Sequence, residues 1–185
     1  MTLNPTILML GTLALSAVYF LFGPKEIDNY FAVVTPVEAG VYSMIILIAF
    51  NIKNIKLWLL FPIISALLNY IFVLKLWPFV TVLPTLLSEY LGLYNSMYHP
   101  VLIFSWYSLV GALIYCFLLD MLIASSQLTI RSYIFVTILC SLAGIPWVLL
   151  EFNVDWYLAA HKATWWIMFS VGLLLSEYMV KKKLT

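Results

Sequence analysis

From Thr6 to Phe22 the chain reads TILMLGTLALSAVYFLF without a single charged side chain, and Gly23 and Pro24 then break the pattern ahead of Lys25, Glu26 and Asp28. Such a run dictates the fold class. A helix rising about 1.5 Å per residue needs roughly 20 mostly apolar residues to cross the hydrocarbon of a bilayer. Comparable stretches return at residues 36–50, 57–74, 101–124, 133–150 and 164–180. Over 185 residues, 65% are apolar and 9% charged, and the mean hydropathy is +1.07. A water-soluble domain has roughly 45–50% apolar and about 25% charged residues. That comparison excludes a soluble globule, a disordered chain and a disulfide scaffold, and leaves an all-α polytopic transmembrane bundle of about six spans. No linker or low-complexity tract divides it, so residues 1–185 read as a single integral-membrane domain.

Residues 76–99 are too apolar for an ordinary loop and are interrupted by Pro78 and Pro84, with Pro100 just beyond. They read as an interfacial or re-entrant segment rather than a seventh span, and charge decides between the two. With six spans, Lys53, Lys56, Arg131, Lys181, Lys182 and Lys183 share one face, against Lys25, Lys75 and Lys162 on the other. The positive-inside bias then places both termini in the cytoplasm of a cell-membrane protein, and a seventh span would separate Lys53 and Lys56 from the C-terminal lysines. The first run lacks a basic leader, and its ALSA stretch lies inside the apolar run, so it reads as a retained helix and not a cleaved signal.

A net charge of +1 offers no field for nucleic acid, so the expected partners are the lipid bilayer and other membrane subunits or further copies of the chain. Cys116 and Cys140 sit in apolar stretches and read as packing residues. Ser108 with Ala112, Gly111 beside them, and Ser141 with Gly144 would let the fourth and fifth helices approach closely. Asp120 and Arg131 flank a short loop and could pair, as could Glu177 and Lys181 one helical turn apart. Asn69, within the third apolar run, must find hydrogen-bond partners in hydrocarbon and is a candidate both for gluing helices and for contacting a ligand.

The outer face gathers Glu89, His99, Glu151, Asn153, Asp155 and His161, both histidines of the chain among them, along with most of its tryptophans. In EFNVDWYLAAHKATWW, a helical reading puts Glu151 and Asp155 on one face and His161 and Trp165 on one face. Paired carboxylates with a histidine nearby suit proton transfer. Tyr94 and Tyr98, one turn apart before His99, could form one wall of an aromatic cleft with Trp77 and Tyr90 behind them, and such walls suit cationic or flat ligands. No metal-ligand motif, Walker loop or nucleophile elbow is present; no metal site is expected, and no motif specifies a cofactor or ties the chain to a known family. The leading expectation is a small solute bound or translocated through an outward-facing pocket, with Asn69, Glu89, Tyr94, Tyr98, His99, Glu151, Asp155, Trp156 and His161 as candidate ligand-binding residues. An accessory subunit of a membrane complex, which needs no pocket, and a membrane-embedded acid/base enzyme acting on a lipid or isoprenoid are the alternatives.

Overall fold

The computed structural model describes residues 3–22, 35–123, 128–152 and 156–182. In chain order the helices are α1 (Pro5–Phe22), α2 (Thr35–Ala49), α3 (Ile55–Ile71), a π-helical turn (Phe72–Leu76), α4 (Trp77–Tyr90), α5 (Tyr98–Leu122), α6 (Ile130–Ser141), a 3₁₀ segment (Leu142–Phe152) and α7 (Tyr157–Lys182). Pro5–Phe22, Tyr98–Leu122, Ile130–Leu149 and Tyr157–Tyr178 are long and apolar enough to cross a membrane, whereas Pro36–Ala49 and Ile55–Ile71 are apolar but shorter. Side-chain caps fix three starts: Asn4 accepts from Ile7 N–H, Asn54 from Lys56 N–H and Thr129 from Ser132 N–H.

Two of the expected spans change their winding, and proline explains both. Pro78 has no N–H to give Leu74, and the π turn lies just ahead of it. Pro146 likewise cannot donate to the turn before it, and α6 tightens into the 3₁₀ segment at Leu142. The last helix begins at Tyr157, well before residue 164, because YLAAHKA is rich in small, helix-favouring alanines that pack inward.

Contacts between chain-distant residues give the topology. Leu3 N–H donates to Glu177 Oε1 at 3.1 Å, and the Tyr19 and Trp166 rings lie 5.6 Å apart, so α1 and α7 run antiparallel. Asn4 N–H donates to the Ala49 carbonyl, which makes α1 and α2 antiparallel too. The Tyr133 hydroxyl donates to Asp120 Oδ2 at 2.6 Å where α5 meets α6, and the Leu128 N–H donates to Oδ1. Asp120 thus ties the end of α5 to the start of α6, and Arg131 lies exposed. One end of the bundle therefore collects the C-terminal ends of α1 and α3, the N-terminal ends of α2, α5 and α7, and the 3₁₀ segment.

The segment after α3 leaves and returns at this same end. Phe72 stacks on Tyr107 at 4.8 Å, and the Ser88 hydroxyl bonds His99 Nδ1 at 2.8 Å. The 16-residue step from 72 to 88 thus faces the 8-residue step from 99 to 107. Straight helices of those lengths would span roughly 24 Å and roughly 12 Å, so the chain bends at the π turn and α4 lies across the start of α5.

Polarity is arranged for hydrocarbon. Leu10, Phe117 and Met121 are each 62% exposed, while Thr12, Ser43, Ser65, Ser108, Ser170 and Ser176 are buried. Thr12, Ser16, Ser43 and Thr137 each donate to the carbonyl four residues back, which meets their donor capacity without water.

Gly144 sets the closest approach between the 3₁₀ segment and α5. A Cβ there would lie 2.6 Å from the Val101 carbonyl oxygen and closer still to the Ser105 backbone nitrogen and hydroxyl. At Gly111 a Cβ would meet only Phe72, at 3.7 Å. Gly144→Ala is expected to lower stability by about 1–3 kcal/mol through overpacking. Gly111→Ala should unfold close to the wild type, and thermal unfolding of both variants in one detergent checks the contrast.

Candidate functional site

At the collecting end, a largely enclosed cavity of about 60 Å³ lies between α2, α3, α5 and α7. It has room for a few waters or a very small solute. Its polar groups come from α2, α3 and α7: Glu38, Asn69, His161 and Lys162. Its walls are aromatic, with Tyr42, Tyr107 and Tyr115 facing Trp165 and Trp166, and Phe72 beside Gly111 on the remaining side.

Glu38 occupies the first turn of α2, where the helix dipole favours an anion. Lys162, in the second turn of α7, brings Nζ to 3.7 Å from Glu38 Oε2, and their side chains are 12% and 7% exposed respectively. The Tyr19 hydroxyl lies close to the same carboxylate. Among the described residues neither Glu38 oxygen nor Asn69 Oδ1 completes a hydrogen bond of good geometry. A buried acceptor left unmet costs about 1–3 kcal/mol, more when charged, so these atoms mark where a donor-bearing guest gains most.

His161 is held from three sides. Its Nδ1–H donates to the Ala143 carbonyl at 2.6 Å. In a 3₁₀ helix that carbonyl would accept from the residue three further on, which is Pro146 and has no N–H, so the ring fills an acceptor that the backbone cannot satisfy. Phe104 and Trp147 stack on each other at 3.4 Å and meet His161 edge-on at 5.7 and 5.8 Å.

Hydroxyl chains anchor the walls. Tyr42 O–H bonds Ser170 Oγ at 2.7 Å, Ser170 bonds Thr12 at 2.8 Å, and Thr12 donates to the Leu8 carbonyl, which joins α2, α7 and α1. Tyr115 O–H bonds Ser43, whose own hydroxyl donates to the Ala39 carbonyl. The Trp165 indole N–H donates to the Ser108 carbonyl at 3.2 Å, tying α7 to α5. Every wall ring is thus fixed by a partner outside the cavity or by its neighbours, which preorganises the space.

Of the residues singled out from sequence, Asn69 and His161 meet in this cavity, and the helical register that pairs His161 with Trp165 puts both in its wall. Glu89, Tyr94, Tyr98 and His99 gather elsewhere, where α4 leads into α5. There Tyr94 packs on His99 at 4.7 Å, and Glu89, Tyr94 and Tyr98 are exposed. Trp156 is 52% exposed and lies 6.1 Å from Phe20. Glu151 falls at the end of the 3₁₀ segment, and Asp155, like Asn153, lies outside the described residues. Sequence reasoning passed over Glu38, Tyr42, Tyr115 and the placement of Lys162. The available signal was an acidic residue in the first turn of an otherwise apolar helix, together with the early start of α7, which carries Lys162 inside an apolar helix.

No family model, no curated protein and no solved structure matches the chain. Geometry alone therefore defines the site.

Removing one member of a buried ion pair leaves the other uncompensated, at a cost of about 3–5 kcal/mol, whereas apolar replacement of both is close to neutral. Lys162→Met is thus expected to lower thermal stability sharply. Adding Glu38→Leu to it should restore most of the loss, and a double-mutant cycle of unfolding free energies in detergent measures the coupling.

Proposed function

We propose that the chain is a six-span membrane protein that binds a small polar solute in the Glu38–Lys162 cavity and passes it on with the help of other membrane subunits or further copies of itself. The carrying observation is a buried carboxylate and a buried amide oxygen, neither completing a well-formed hydrogen bond to a described residue, inside a preorganised aromatic cavity. Ligand sites combine mostly apolar walls with a few converging polar groups, which is the composition found here. A purely packing subunit has no need of such a space. Lys53, Lys56 and Arg131 stand at the bundle end opposite the cavity, so the positive-inside bias supports a cavity facing away from the cytoplasm of the cell membrane. A bundle of this size has little room for gates on both sides of the cavity, which is the reason for invoking partners.

A screen of small polar metabolites against the purified protein, read by thermal shift and tryptophan fluorescence, is expected to yield at least one ligand. Gly111 borders the cavity, and an added Cβ there meets only Phe72, at 3.7 Å, so Gly111→Leu should fill the space and abolish that binding while leaving the helical content intact. An absence of ligands, or binding that Gly111→Leu leaves unchanged, would remove the cavity as the functional site.

A further inference from the structure

We infer that the solute is a short zwitterion, carrying an ammonium and a carboxylate on a small skeleton as the smallest amino acids do. This deepens the proposal above and rests on it.

Charge balance selects the class. Glu38 and Lys162 both line the cavity, they oppose each other across 3.7 Å, and both are nearly buried. A guest that carried only a positive charge would add a second cation beside Lys162, and a guest that carried only a negative one would add a second anion beside Glu38. In a low-dielectric enclosure either addition is costly, because Coulomb energy scales inversely with the dielectric constant. A zwitterion adds no net charge. Its ammonium meets Glu38 and its carboxylate meets Lys162, so each protein charge gains a partner without the other losing compensation.

The unmet atoms point the same way. The two Glu38 oxygens and Asn69 Oδ1 are acceptors, and a primary ammonium brings three N–H donors to them. The surrounding aromatic rings favour a cation over their faces. The cavity volume of about 60 Å³ limits the skeleton to the smallest members of the class.

The full-length protein in detergent is titrated with glycine, β-alanine, ethylamine and propionate, with binding read by calorimetry and tryptophan fluorescence. Glycine or β-alanine is expected to bind at least tenfold more tightly than either monofunctional compound. Charge-assisted hydrogen bonds contribute about 1.5–3 kcal/mol each, equivalent to roughly 10- to 100-fold in affinity. Lys162→Met should then switch preference towards ethylamine and Glu38→Gln towards propionate, a change of selectivity that simple destabilisation does not produce. Ethylamine or propionate binding the wild type as tightly as the zwitterions would overturn the assignment while the cavity stands as a binding site. Failure of all four probes overturns it as well. The Gly111→Leu comparison with ligands from the broader screen then decides independently whether the cavity binds anything.

Discussion

Hydrocarbon cannot hydrogen-bond, and the architecture follows from that one fact. Each hydroxyl and charged group that lies within the bundle has to be met by the protein itself. Leu10, Phe117, Met121 and other large apolar side chains accordingly face outward, while Thr12 and Ser43 turn inward onto the carbonyl four residues back. The Tyr42–Ser170–Thr12 chain is one result, holding three helices through polar atoms in a place where a soluble protein would use apolar ones. Glu38 and Lys162 extend the same logic to full charges, which tolerate burial here because they compensate each other.

Much of the fold could be read directly. Uninterrupted apolar runs locate the helices because length and hydropathy are local properties, and Pro78 marks the start of the 77–90 helix, whereas Pro84 lies inside it. Local winding was less legible. Nothing in the letters LAGIPWVLLEF distinguishes an α from a 3₁₀ path, since the outcome depends on what can satisfy the carbonyls that Pro146 leaves open. The start of α7 was also missed, for a related reason. His161 and Lys162 precede the apolar run that begins at 164, and they join the helix because Ala159, Ala160 and Ala163 pack inward around them.

The site was half legible. Asn69 and His161 stand out as polar groups embedded in apolar sequence, and both reach the cavity. Glu38 resembles an ordinary acidic residue at a helix start, and its partner lies 124 positions away, a separation no spacing rule spans. The two histidines illustrate the limit of composition. They share an end of the bundle, yet His99 bonds Ser88 beside the exposed Tyr94, whereas His161 is sealed beneath Phe104 and Trp147.

Pro146 reaches further into the cavity than its position suggests. By leaving the Ala143 carbonyl to His161, it commits the ring's Nδ1 to carrying the proton. In a neutral imidazole this fixes the tautomer, with Nε2 bearing the lone pair. A backbone atom that is missing from one residue therefore sets the hydrogen-bond polarity of a side chain on another helix, and joins His161 to the acceptor character already imposed by Glu38 and Asn69.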